Sequence, residues 1–314
     1  MTLKDKIFDT DHLTDIKTEL FYGVDNIKVD LVSTVDNPYR GIVNMALATW
    51  GSELNKWPVL TPEERFHVTL KVLQKKALPL GKESPIFLFG VTGVSRSSFD
   101  QIARQRIGST FSSVGWNNVH SKNGVRVPNE IVQGINKDNH IKLITECVQK
   151  CKETYSKLIE DGISWQSARE FLPMGLLHWF YFSLTYEALL AFCARRCCFS
   201  EKEDTVAVAW LMRERVKEKF PLLATFLRPS CDWSKRCSYH TGDSFPEEMG
   251  SLFAPCNRNK CLVENPNIEF NHSSTNIDDL NIQLKIKIPL SNQELPTVSY
   301  DELKSQDKEL FSDS

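Results

Sequence analysis

Arg104, Gln105 and Arg106, followed by hydroxyls at Ser109, Ser112 and Ser113, form a cluster suited to holding an anion. A guanidinium offers a planar fork of donors that matches phosphate and the polar rim of a heterocycle, and loop hydroxyls and amides complete such a cradle. Arg169, in the run Ser167-Ala-Arg169-Glu-Phe-Leu-Pro173, and the pair Arg195-Arg196 supply further cations. Taken singly these signals are weak. Residues two apart on a helix face different sides, and exposed arginines mostly make surface ion pairs of small worth.

The positioning elements follow from periodicity. Residues 27–33 (Ile-Lys-Val-Asp-Leu-Val-Ser) alternate apolar with polar, the pattern of a half-buried strand, and Asn37-Pro38 ends it. Ile42, Met45, Ala46 and Trp50 then recur at helical spacing over residues 41–54. A second helix is predicted after Thr61, which can cap it, with Pro62 at the first helical position. Residues 85–92 read as a strand buried on both faces. This strand leads into Ser98-Phe-Asp-Gln101, a capping-box spacing that predicts a helix carrying Ile102, Arg104, Gln105 and Arg106. Residues 108–124 read as a polar loop. An amphipathic helix is predicted over residues 138–161, a long apolar helix following Pro173 and running to about Cys197, and another helix over residues 204–227. The fold expected is α/β, of the α+β type: a central sheet with flanking helices and a long buried helix, plus a C-terminal appendage. The division predicted is a first domain of residues 1–230 and a Cys-containing appendage with a polar tail over residues 231–314. Residues 282–288 alternate as a peripheral hairpin would, and the last fifteen residues are expected to be disordered.

Gln101-Ile-Ala-Arg104-Gln-Arg106-Ile-Gly-Ser109 resembles the signature of flavin-dependent thymidylate synthases, Gln-x-x-Arg-His-Arg-x-x-Ser. Ser167-Ala-Arg169-Glu-Phe-Leu-Pro173 is similar to that family's Ala-Arg-x-x-Leu-Pro segment, and Ala209-Trp210-Leu-Met-Arg213 to its Ala-Gln-Trp-Glu-Ile-Arg region. The resemblances come in the family's order and span residues 25–230. They imply a homotetramer in which FAD, reduced by NADPH, helps transfer a one-carbon unit from methylenetetrahydrofolate to C5 of dUMP. On that resemblance Arg104 and Arg169 are the catalytic residues, and Gln101, Arg104, Ser112, Arg169 and Arg196 bind the pyrimidine nucleotide. Arg104, Gln105, Arg106 and Ser109 would line the flavin.

The sequence also departs from the family. The central His is Gln105, the Asn is Phe111, the Glu of the nucleotide loop is Ser112, and the later Ser and Arg fall on Val114 and Trp116. The flavin-contacting Asn and Arg correspond to Thr185 and Glu187, so a cation becomes an anion beside an anionic cofactor. A pyrimidine-nucleotide hydroxymethylase, or a noncatalytic protein that kept the fold and lost flavin, are the alternatives these departures raise.

Composition excludes several other classes. With 38 Lys and Arg against 40 Asp and Glu, the chain lacks the field that drives nonspecific nucleic-acid binding, so any anion must be met by local arginines. Pro173, His178 and Glu187 argue against reading the apolar stretch near residues 171–194 as a membrane span. No apolar run opens the chain, which places it in the cytoplasm, and nine cysteines in a chain of this length fit free thiols. Cys231, Cys237, His240, Cys256 and Cys261 lack the spacing of paired zinc knuckles, so no metal site is expected. His178 reads as a hydrogen-bonded core histidine rather than a base.

Overall fold

The computed structural model describes residues 19–74, 81–113, 124–198, 201–230, 285–287, 294–296, 300–307 and 310. Its elements are β1 (Leu20–Tyr22), β2 (Lys28–Thr34), α1 (Pro38–Thr49), α2 (Pro62–Gln74), β3 (Ile86–Ser95) and α3 (Arg96–Ile102). Next come β4 (Ser109–Ser113), β5 (Val125–Val127), α4 (Asn129–Val132), α5 (Lys137–Glu160), α6 (Trp165–Ala168), β6 (Leu177–Thr185) and α7 (Tyr186–Arg196). The last are α8 (Glu203–Lys217), α9 (Pro221–Thr225), β7 (Lys285–Lys287), β8 (Glu294–Pro296) and α10 (Tyr300–Lys304). A four-stranded sheet has the order β2-β3-β6-β4, β1 pairs in parallel with β5, and β7 pairs antiparallel with β8. Sheet and helices thus mix along the chain, as an α/β reading predicts.

Local chemistry explains several boundaries. Asn37 accepts from the Tyr39 and Arg40 amides and starts α1 at Pro38, ahead of the residues whose periodicity announces it. Thr61 and Glu64 form a reciprocal capping box at the start of α2: the Glu64 amide donates to Thr61 Oγ1 at 3.2 Å, and the Thr61 amide to Glu64 Oε2 at 2.8 Å. Helix α3 begins earlier than Ser98, because the Ser95 hydroxyl accepts from the Ser98 amide. It also ends at Ile102, so Arg104, Gln105 and Arg106 lie on a turn rather than on the helix.

The largest correction concerns the predicted long buried helix. Residues 177–185 are instead strand β6, in which His178, Phe180, Phe182 and Leu184 are buried while Tyr181 is exposed. Helix α7 starts only after Thr185, whose hydroxyl accepts from the Ala188 amide. A continuous apolar stretch carries no period that separates a sandwiched strand from a buried helix, and partner strands decide. Strand β4 likewise occupies part of the predicted polar loop, because its place beside β6 overrides a weak local preference. The helix expected over residues 204–227 is broken between α8 and α9, where Pro221 cannot donate and Phe220 takes a non-helical backbone. Among the described residues no helix is long and apolar enough to cross a membrane.

The described residues group into two compact units. One draws on the described residues within 1–28, 90–104 and 111–181, the other on those within 29–89, 105–110 and 182–314. In the first, Val148 and Tyr155 of α5 pack with Val125, Ala168, Leu172 and Leu176. In the second, Phe87 lies 6.2 Å from Tyr186 and 6.1 Å from Phe220, ring to ring, and Tyr39 meets the edge of Phe220.

The second unit also takes in the C-terminal segment expected to be disordered. Asp307 is fully buried, accepts from the Tyr39 hydroxyl, and accepts from the backbone amides of Leu222 and Leu310. Burial, and then the Asp307 charge, push the Tyr39 phenol well above its usual range, so it stays a donor. A buried carboxylate needs several donors, and the two from Tyr39 and Leu222 hold the segment to the core, while the Leu310 amide closes its local turn. Asp307→Ala leaves buried donors without an acceptor. It is expected to cost about 3 kcal/mol, read as a lower midpoint in urea denaturation. An unchanged midpoint would show that the segment is not docked.

Candidate functional site

In the first unit, Gln101 sits half-buried in the last turn of α3, and Arg104 is exposed just beyond it. The Arg104 amide reaches back to the Gln101 carbonyl at 3.4 Å, a tightened turn that closes the helix. Ser112 is exposed on β4. Arg169 lies in the short 3-10 turn Arg169–Phe171, half-buried, with its guanidinium carbon 5.3 Å from the centre of the Trp165 ring. A cation over an indole face is held in a set orientation.

An aromatic group supports α3 and β4 from within. Phe99 lies 4.6 Å from His178, 4.9 Å from Phe180 and 6.0 Å from Phe111. Phe111, which stands where the family signature has Asn, is therefore a packing residue. His178 is buried with Nε2 unpaired among the described residues, so it is not the hydrogen-bonded histidine expected. Burial, reinforced by the nearby Arg96 charge, holds its imidazole down at about 4.

In the second unit, the turn that carries Gln105, Arg106 and Ser109 is closed on itself. The Ser109 hydroxyl donates to the Gln105 carbonyl at 2.6 Å, and Gln105 Nε2 donates to the Ile107 carbonyl at 3.2 Å. Gly108 has φ +67° and approaches α7 so closely that an added Cβ would stand 2.8 Å from Thr185 Oγ1. Its carbonyl accepts from the Thr185 amide at 2.9 Å. The next two amides, of Tyr186 and Glu187, donate to the carbonyls of Pro85 and Lys82. The Thr185 hydroxyl takes the Ala188 amide. The donors that a helix start usually turns toward an anion are thus spent on the protein itself. Arginine side chains are left to meet any anionic ligand.

Local charge differs from the sequence reading at one point. Glu187, the residue that puts an anion where the family has a cation, is paired with Lys82 Nζ at 3.0 Å, as an ion pair rather than a directed hydrogen bond. Lys82 is only 2% exposed. The pair neutralises the reversal, so the region fits an anionic group better than Glu187 alone suggests. Arg196, also buried, is held by Glu201, which Arg195 approaches at 3.5 Å from outside. Lys82 and Glu201 escaped sequence reasoning: Lys82 lies 105 positions before its partner, and Glu201 follows a Cys-Cys-Phe-Ser run without periodicity. Arg213 is 1% exposed over Trp210, with Nη1 on Glu214 and its Nε and Nη2 atoms unpaired among the described residues. The sequence marks its segment but not its burial.

No group of three or more His, Cys, Asp or Glu side chains among the described residues is placed to hold a metal. The Cys and His cluster beyond Cys231 lies outside the described residues.

Residues 30–222 match the family described as thymidylate synthase complementing protein. A flavin-dependent thymidylate synthase of Sulfurisphaera tokodaii is 28% identical over 153 residues, 48% of this chain and 57% of that protein. Another, of Geobacter sulfurreducens, is 27% identical over 161 residues, 50% of this chain and 68% of that protein. A crystal structure of a UMP/dUMP methylase from Streptomyces cacaoi, bound with 5-Br dUMP, superposes with a TM-score of 0.53 at 16% identity. That superposition covers 66% of this chain and 96% of the other, and at such identity it is a likeness of fold. The chain spans little more than half the length of the first of these relatives.

The ion pair and the buried imidazole each lead to an expected measurement. In a double-mutant cycle, Lys82→Met and Glu187→Gln are coupled by about 2 kcal/mol in folding stability, and additive effects would show the pair to be incidental. For His178, an ordinary value of 6.5 falls to about 4 in the fold. The unfolded chain therefore binds the proton more readily between those pH values. The stability this group contributes is complete above pH 6.5 and declines toward pH 4 by roughly 3 kcal/mol. His178→Phe is expected to flatten that part of the stability profile, and an unaltered slope contradicts the buried placement.

Proposed function

The chain belongs to the thymidylate synthase complementing protein family, and on that premise we propose that it is a flavin-dependent enzyme that transfers a one-carbon unit from methylenetetrahydrofolate to C5 of dUMP. The observation that carries this reading is that the matched residues, 30–222, include both the Gln101–Ser109 and the Ala168–Pro173 motifs. FAD, reduced by NADPH, supplies the hydride when bound, so no cysteine of the chain need attack the pyrimidine.

The chain's own residues bind and polarise. Arg104 and Arg169 offer guanidinium donors to the nucleotide phosphate and to a pyrimidine carbonyl whose charge grows as C5 reacts. Gln101 and Ser112 add neutral donors and acceptors for the pyrimidine and ribose. Arg196 meets the nucleotide from the end of α7, with Glu201 fixing its side chain. Arg104, Gln105, Arg106 and Ser109 hold the flavin through a turn whose shape depends on Gly108. The assembly is a homotetramer in the cytoplasm, residues 1–230 are the catalytic domain, and residues 231–314 are an appendage whose end returns to the core through Asp307.

A second reading, a nucleotide-binding protein that has lost flavin chemistry, draws on two observations. Phe111 packs against Phe99 and Phe180 where the family has a polar residue. Arg196 already has a carboxylate partner.

Visible absorbance and fluorescence of the purified protein, titrated with FAD in the presence of dUMP, separate the two. A bound-flavin spectrum is expected, and Arg104→Ala and Arg169→Ala should each weaken dUMP binding about tenfold or more. No FAD binding under any condition transfers the case to the second reading. Unchanged nucleotide affinity in both variants rejects the site in either version.

A further inference from the structure

Helix α5 carries Cys147 and Cys151, four residues apart, so the two side chains stand one above the other on the same face. Cys147 is exposed, Cys151 is partly buried, and both are free thiols. Their proximity is felt: after burial, Cys147 is the next influence raising the Cys151 thiol above its ordinary value.

We infer that Cys147 and Cys151 form a chelating dithiol site for a single thiophilic centre, a soft metal ion or a trivalent arsenical. Spacing favours chelation over a disulfide. A disulfide needs Cβ atoms about 3.5 to 4.5 Å apart, whereas residues four apart on a helix hold them roughly 5 to 6 Å apart. Direct oxidation must therefore distort α5. One soft atom between the sulfurs, with metal–sulfur bonds of about 2.3 Å, spans the native gap.

Access separates this pair from the other described thiols that share its spacing. Cys193 and Cys197 are also four residues apart, but both are 0% exposed and closed to an incoming ion. The dithiol also stands close to a functional part of the first unit. Val148, between the two cysteines, and Tyr155, four residues beyond Cys151, pack with Ala168 and Leu172, which stand on either side of the Arg169 turn.

Phenylarsine oxide is the direct probe. Its arsenic–oxygen bond is replaced by two arsenic–sulfur bonds and water leaves with the two thiol protons, so no oxidant is needed. The full chain, Cys147→Ser and Cys151→Ser are titrated and followed by intact-mass spectrometry, peptide mapping and far-ultraviolet circular dichroism. The wild type is expected to hold one more arsenical than either variant. That adduct should survive washing with 2-mercaptoethanol, be released by 2,3-dimercaptopropanol, map to α5 and leave the helical signal unchanged. The inference is overturned if either single variant keeps the wild-type stoichiometry, or if the adduct forms only with loss of helix. Dichroism of the unmodified variants guards against misfolding as the cause.

Discussion

Four consecutive backbone amides, from Thr185 to Ala188, have to be satisfied at the point where strand β6 becomes helix α7. Left unpaired and shielded from water they would cost several kcal/mol, on the order of 1 to 3 each. Two segments distant in sequence answer three of them, through the carbonyls of Gly108 in one and of Pro85 and Lys82 in the other, with the Thr185 hydroxyl taking the fourth. This junction gives the Gln105–Ser109 turn its place. Gly108 must adopt a left-handed backbone to present its carbonyl, and no side chain fits between it and Thr185. Arg106 and Ser109 are therefore held by a saturated strand-to-helix switch, not by a helix of their own.

Because that helix start is saturated, anion chemistry falls to side chains, and those are unequally committed. Arg196 is bound to Glu201 and Arg213 to Glu214, both inside the protein, while Arg104 and Arg106 are exposed and Arg169 rests on Trp165. Buried arginines with carboxylate partners are costly to separate. Exposed ones reorganise cheaply around a ligand. Lys82 belongs to the scaffold, since it is buried and balances the charge of Glu187.

Several elements were legible because their determinants are local. The capping box at Thr61, the Asn37 cap and the amphipathic period of α5 depend on residues within one or two turns. The Arg104 and Arg169 motifs were legible in the same way, by residue type and spacing. Strand β6 was not, because aromatic and aliphatic residues stand on both of its faces and either secondary structure buries them. The end of α3 at Ile102, and the extended form of β4, were also hidden. Both depend on neighbours the local sequence does not name.

The amino-acid sequence by itself determined the α/β class, the family and the motifs that carry Arg104 and Arg169, since each follows from composition, period or a short ordered motif. Tertiary structure alone decided that the apolar run near residue 180 is a strand, that Glu187 is neutralised by Lys82, that Arg196 is held by Glu201, and that Asp307 fastens the C-terminal segment beside Tyr39. Burial and pairing are properties of atoms brought together from distant positions. Their energies depend on the partner and the surrounding dielectric rather than on the residue alone.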